Sequence, residues 1–366
     1  MKDMNIDQLQ IRLRKWLTRR TINLAVRRVG ELPLTIGSDI GVARNENQDR
    51  VAVLRVRISP SQSFIVAALC DGMGGMVEGS SCAAQTIASF FAACCSYHDM
   101  APAERMVRAA HEANRAVYSH YYGKGGATLS AVLFDSQRGM AGLNVGDSRI
   151  YSYLEGVLEQ LSVDDTMAGL LPRVEDNIHP RKELLQFIGV GEGLEPHVVQ
   201  ITSSLKMIVL TSDGVHCLDK NTLQMIIRSA SDPAIAAKRI IELAQWCGGR
   251  DNASIAIATP MDNQLQKVED TEVVQVWDPF GELQIIISDV ASQGLQKNEP
   301  IKNQPPVIEN RKPMKVPANR QKDKSKSNKR KKSVDKLPQE RNKGGGNEKA
   351  QLEIFFEVDQ GGKRHA

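Results

Sequence analysis

No stretch of the chain reaches the roughly 18 uninterrupted apolar residues that a membrane-spanning helix needs. Its basic N-terminus is not followed by the apolar core of an export signal. Both absences lead to the expectation of a cytoplasmic protein. The six cysteines, Cys70, Cys82, Cys94, Cys95, Cys217 and Cys247, include no CxxC pair, and most lie in apolar surroundings. They read as reduced, mostly buried thiols rather than metal ligands or a redox pair. HExxH is missing, which argues against a zinc hydrolase. GxxxxGK(S/T) and GxSxG are missing too, which sets aside a P-loop nucleotide site and a serine nucleophile elbow.

What is present is 366 residues, 41% hydrophobic and 25% charged, enough for one large domain or two smaller ones with an ordinary core. The net charge of +4 is unevenly spread: residues 1–33 carry +5, residues 301–345 carry +11, and residues 34–300 about −11. Residues 7–29 place Leu9, Leu13, Trp16, Leu17, Leu24 and Val26 among arginines at roughly helical spacing, so 1–33 reads as a basic amphipathic N-terminal helix. Residues 34–260 have globular texture. Residues 261–293 hold a possible accessory hairpin turning at Asp278-Pro279-Phe280-Gly281. Residues 294–349 have the composition of a basic disordered linker, and 350–366 end in a short segment with strand character. The "KDKSKSNKRKK" run in the linker has the charge to contact nucleic acid or an acidic surface, but no interleaved aromatics for stacking on bases.

Within 34–260, "FIVAALC", "LSAVLF", "AGLNV", "MIVLTS" and "ASIAIA" have the length and flanking turns of buried strands, while stretches near 77–95, 102–121, 220–230 and 233–247 read as helices. The strands cluster instead of alternating with helices, which favours an α+β sandwich over a doubly wound parallel sheet. Four carboxylates stand at strand ends with glycine adjacent or close by: Asp71 in "FIVAALCDGMGG", Asp147 in "AGLNVGDSR", Asp213 in "MIVLTSDG" and Asp251 in "GGRDNASIAIA". A glycine-rich turn after a buried strand suits phosphate, yet a carboxylate at its head repels it. Carboxylates crowded at converging strand ends raise one another's pKa and call for cations, and an all-oxygen donor set suits Mg²⁺ or Mn²⁺ over zinc. Phosphate-ester hydrolysis, nucleotide cleavage and a structural ion all remain open from spacing alone.

The ordered motifs "GVARNENQDR", "DGMGG", "GGATLSAVLF", "NVGDSRIY", "LSVDDT", "LTSDG" and "RDNAS" resemble those of the metal-dependent protein phosphatases, the type 2C serine/threonine phosphatases, in their bacterial form. The resemblance covers about residues 34–260 and implies an αββα four-layer sandwich of two antiparallel sheets flanked by helices. It also implies a binuclear Mg²⁺ or Mn²⁺ centre, with a third ion in bacterial members, that activates water against phosphoserine or phosphothreonine in proteins. Carried over, Asp71 bridges two metals, Asp213 and Asp251 complete the first site, and the Gly72 carbonyl serves the second. Asp49 acts on the second metal or its waters, Asp147 with Asp213 matches the third site, and Arg44 holds the substrate phosphate with its guanidinium fork. The implied partners are phosphoproteins made by a serine/threonine kinase.

Three positions depart from the family pattern. Gln48-Asp49 stands where Glu-Asp is frequent, removing a charge near the second metal and leaving open the alternative of a catalytically weak, phosphoprotein-binding pseudophosphatase. Met73 follows Asp71-Gly72 where some members carry a histidine, and Asp164-Asp165 replaces the usual Asp-His, from which only a local structural change is expected. Residues 165–195 correspond to the family's flap beside the active site.

Overall fold

A computed structural model describes residues 5–21, 23–59, 61–73, 78–167, 183–202, 206–259 and 273–286. The expected linker 294–349 and the segment 350–366 lie outside the described residues.

Two antiparallel sheets form the centre. One has six strands in the spatial order β1 (Ala25–Arg28), β2 (Leu34–Asp39), β11 (Ala253–Ala258), β10 (Met207–Thr211), β7 (Arg149–Leu154) and β8 (Val157–Gln160). The other has seven, in the order β13 (Gly281–Ile286), β12 (Val273–Asp278), β3 (Arg50–Ser59), β4 (Gln62–Cys70), β5 (Leu129–Asp135), β6 (Gly139–Val145) and β9 (His197–Val199). Helices α1 (Ile6–Leu17), α2 (Gly79–Ser96) and α3 (Pro102–Tyr121) pack with the seven-stranded sheet, and α4 (Lys220–Ser229) and α5 (Pro233–Trp246) with the six-stranded one. This is the four-layer sandwich that the resemblance implies.

The apolar runs follow from the layering. Side chains alternate across a strand, so a strand covered on both faces must be apolar throughout. On β4, Phe64, Val66, Ala68 and Cys70 enter the core under α2 and α3, while Ile65, Ala67 and Leu69 enter the core between the sheets. Helix α2 is buried almost all round, from Cys82 to Cys95, which explains its small residues: Ala and Ser let α1, α3 and the sheet approach it together.

The N-terminal expectation needs correction. The helix covers Ile6–Leu17, not 7–29: Asn5 caps it by accepting from Gln8 N at 3.0 Å, and Leu9, Leu13 and Leu17 form one buried stripe against α2. Val26 belongs to β1, an edge strand paired antiparallel with β2, because after Leu17 the apolar spacing no longer matches a helical face. Arg27 and Arg28 on this strand suit a sheet edge, where charge deters further pairing.

The hairpin turns where expected, with Asp278 opposite Gly281 and the Asp278 carboxylate accepting from Phe280 N at 2.8 Å. It is no accessory, since β12 pairs with β3 and extends the seven-stranded sheet. Both chain ends of the described body meet there: Arg19, stacked on Trp16, bonds Asp278 at 2.5 Å.

Candidate active site

The two sheets present strand ends at one edge of the sandwich. Asp71 follows β4, Asp49 precedes β3, and Arg50 and Cys70 are register partners, so one sheet delivers both carboxylates. The other sheet delivers Asp213 at the head of a short 3₁₀ turn after β10, and Asp251 just before β11, the neighbour of β10. Asp147 sits in the turn that carries the chain from β6 in one sheet to β7 in the other.

Both Asp-Gly pairs have a steric reason. A Cβ on Gly72 would lie 2.1 Å from the Gly79 carbonyl oxygen, and one on Gly214 would lie 2.0 Å from that of Asn252. Only glycine lets the chain pass so closely, and in each case the neighbour crossed is part of the site's own frame. Asp71 is fixed from behind by Thr128, whose hydroxyl accepts from Asp71 N at 2.9 Å while its own N–H donates to the Asp71 carbonyl at 2.9 Å.

Arg44, Gln48, Asp71, Gly72, Met73, Asp147, Asp213 and Asp251 line a cleft of about 290 Å³. Six of the seven residues expected from the sequence are thus brought together. The seventh, Asp49, lies beneath the cleft, 2% exposed, where one carboxylate oxygen accepts from Ser212 Oγ at 2.7 Å and the other, Oδ1, is buried without a hydrogen-bond partner. The Arg44 guanidinium bonds the Asp251 carboxylate at 2.6 Å.

Electrostatics agree with crowding. Burial, reinforced by the charges of Asp49 and Asp213, pushes Asp71 well above the usual carboxylate range. Burial likewise raises Asp49 to about 7 against the lowering effect of Ser212 and Ser254, and raises Asp147 to about 6 with help from Asp213 and Asp164. Arg44 is raised, chiefly by its bond to Asp251.

Several framing residues escaped the sequence reading. Asn252 accepts from Gln48 N at 2.8 Å and donates to the carbonyls of Ile40 and Glu46, tying the Asp251 loop to the loop that carries Arg44 and Asp49. Ser212, next to Asp213, serves Asp49 instead, and Ser38, Asn47 and Ser254 complete that buried network. Arg50 donates to the Leu17 carbonyl at the end of α1 and to the Asn47 and Asp49 carbonyls, each at 2.7 Å. The motif positions of Asn252 and Ser212 were signals; the long-range partner of Arg50 left none.

The Asp164-Asp165 departure acquires distinct tasks. Asp164 receives a fork from Arg149, with Nη2 at 2.7 Å. Asp165, 4% exposed, accepts from Gly146 N at 2.8 Å, pairs with His197 Nε2 at 2.7 Å and accepts from Gln186 Nε2 at 3.1 Å. It joins the returning limb of the 165–195 segment to the turn that holds Asp147. Residues 168–182 of that segment lie outside the described residues; the returning limb bridges Thr166 to Leu184 and Ala127 to Ile188.

A family profile, Protein phosphatase 2C, matches residues 41–256. The chain belongs to the protein phosphatase 2C family. Serine/threonine protein phosphatase PstP of Mycobacterium tuberculosis is 29% identical over 245 residues, 62% of this chain, and the match spans 44% of PstP, less than half its length. Serine/threonine phosphatase stp of Listeria monocytogenes is 29% identical over 240 residues, covering 60% of this chain and 92% of that protein. Among solved structures, the PPM Ser-Thr phosphatase MsPP of Mycobacterium smegmatis superposes with a TM-score of 0.52 at 25% identity, covering 61% of this chain and 96% of the other. M. tuberculosis PstP gives 0.51 at 26% identity, covering 64% and 99%. Arg44, Asp49, Asp71, Gly72, Asp147, Asp213 and Asp251 all fall inside the matched range.

Among the described residues, no three acidic, histidine or cysteine side chains stand ready as a closed ligand set for one ion, and Asp251 is held by Arg44. The donor chemistry nevertheless fits a hard divalent cation: carboxylate oxygens from both sheets, an unpartnered buried oxygen on Asp49, and a Gly72 backbone that a side chain would obstruct. No described helix is long and apolar enough to cross a membrane.

Proposed function

We propose that the chain hydrolyses phosphoserine and phosphothreonine in proteins with Mg²⁺ or Mn²⁺ as cofactor, acting in the cytoplasm on the products of a serine/threonine kinase. The observation that carries this reading is the convergence of Asp71, Asp147, Asp213 and Asp251 with Arg44 on one cleft, with Asp49 beneath, inside the stretch matched to the protein phosphatase 2C family. The free thiols, four of them buried, fit a reducing compartment.

Asp71, Asp213, Asp251 and the Gly72 carbonyl would hold the first and second cations, Asp49 would back the second, and Asp147 with Asp213 would hold a third. Bound there, such a cation lowers the pKa of water and neutralises charge on a phosphoryl oxygen. The chain's own groups do the rest. Arg44, at the mouth of the cleft, offers a planar fork matched to two phosphate oxygens, which a lysine would meet only as a point charge. Thr128 holds Asp71 by both backbone and hydroxyl, and Ser212 and Asn47 hold Asp49, so the carboxylates are positioned before substrate arrives. Met73 offers no proton, which leaves protonation of the departing alkoxide to water.

The test is phosphate release from p-nitrophenyl phosphate and from a phosphothreonine peptide, with Mn²⁺, with excess EDTA, and with Asp71→Asn. Turnover in Mn²⁺ that EDTA abolishes and that falls by about 10² or more in the variant is expected. Full activity in EDTA, or an Asp71→Asn variant as fast as the parent, would overturn the reading.

A further inference from the structure

Four of the six thiols are sealed. Cys70, Cys82, Cys94 and Cys95 are buried, and burial pushes their thiols up, Cys82 to about 11 and Cys94 to about 12. The remaining two, Cys217 and Cys247, are exposed and line one wall of a second cleft of about 540 Å³ that continues from the first, sharing Asp147, Asp213 and Asp251 with it. They come from different elements. Cys217 follows the 3₁₀ turn that begins at Asp213, and its Sγ lies 3.5 Å from the Gly214 carbonyl and 4.0 Å from the Ala244 carbonyl on α5. Cys247 is the residue that ends α5, its N–H bonded to the Leu243 carbonyl at 2.9 Å. Ala244, which the Cys217 sulfur approaches, lies one helical turn before Cys247, so the two thiols stand on the same cleft as neighbours, and burial together with the nearby Cys247 raises Cys217 above the ordinary thiol range.

We propose that Cys217 and Cys247 form a dithiol modification site that low-molecular-weight disulfides close into an intramolecular disulfide. Cys247, open at the helix end, attacks one sulfur of the small disulfide as thiolate, forming a mixed disulfide and expelling one thiolate. The Cys217 sulfur then attacks the Cys247 sulfur, its proton leaving with the second expelled thiolate. The protein pair loses two electrons and two protons, and the small disulfide takes them up to become two thiols.

Closure must draw two loops together, because a disulfide bond is only about 2.05 Å long while the two sulfurs are carried by separate elements. One loop starts at Asp213. The other runs from Cys247 through Gly249, whose carbonyl accepts from Val42 N at 2.8 Å and Ala43 N at 3.1 Å, the two residues before Arg44, and ends at Asp251. On the phosphatase reading proposed above, the disulfide therefore displaces Asp213, Asp251 and Arg44 together and lowers turnover.

The experiment is exposure of the full chain to oxidised glutathione, followed by intact-mass measurement, peptide mapping and phosphatase assay before and after dithiothreitol. The expected product has lost the mass of two hydrogens, yields one cross-linked pair joining the peptides of Cys217 and Cys247, and shows turnover reduced roughly ten- to a hundredfold and restored by reductant. Cys217→Ser is expected to stop at a stable glutathione adduct on Cys247. Stable double glutathione adducts on the parent, a cross-link through another cysteine, or no reaction would overturn the dithiol site. These mass readouts stand even if the protein releases no phosphate, whereas a cross-linked protein with undiminished turnover would refute the effect on the cleft alone.

Discussion

Ser212 is adjacent to Asp213 but donates to Asp49, and its oxygen also accepts from Ser254 N at 2.9 Å. The hydroxyl thus stands between a buried carboxylate of one sheet and a backbone amide of the other. Ser212→Ala leaves both without their partner, a loss of about 1–3 kcal/mol in urea unfolding. An unchanged midpoint would show the network to be dispensable. The carboxylates themselves give a pH signature. In the metal-free protein burial raises Asp49 to about 7 and Asp147 to about 6, and pushes Asp71 well above the usual carboxylate range, against about 3.9 in the unfolded chain. Between these limits the folded state binds more protons than the unfolded one, so stability in chelator falls as pH rises from about 4.5 to about 7.5. Urea midpoints across that window check the sign, and Asp49→Asn should flatten the slope; a midpoint that rises with pH contradicts it.

At the scale of elements, α1 shows what burial on one stripe achieves. Leu13 is completely buried against α2, and Leu13→Ala is expected to cost about 2–5 kcal/mol in denaturant unfolding. A detachable helix would lose almost nothing. The limits of sequence reading are visible in the same region. Strands such as β4 and β11 were legible because both faces are buried and their runs are unbroken. The stretch after Leu17 was not, because an edge strand of four residues with two arginines carries too little pattern to compete with the helical spacing before it. At the site, Asp71, Asp147, Asp213 and Asp251 announced themselves by position at strand ends. The tasks of Arg50 and Asp165 did not, since each depends on partners that only the folded sheet and helix bring near: Leu17 for one, Gly146 and His197 for the other. The adjacency of Cys217 and Cys247 was hidden for the same reason.

For the whole molecule, the site belongs to neither sheet alone. Asp49 and Asp71 ride on the seven-stranded sheet, Asp213 and Asp251 on the six-stranded one, and the core between them, with Val53, Ile65, Leu210 and Ala256, sets their separation. Any change in that spacing reaches the carboxylates directly, which makes sheet packing part of the chemistry.

The pairing of Arg44 with Asp251 couples cation and phosphate to each other. A cation that claims Asp251 sets the guanidinium free for phosphate, and phosphate that claims Arg44 sets the carboxylate free for the cation. Two ligands that each dismiss the other's competitor bind with mutual reinforcement, and linkage makes the gain equal in both directions. Calorimetric titration with Mn²⁺ should therefore show tighter binding in the presence of inorganic phosphate, and Arg44→Ala should erase that dependence on phosphate. If phosphate leaves the Mn²⁺ affinity of the parent protein unchanged, the arginine is not a latch.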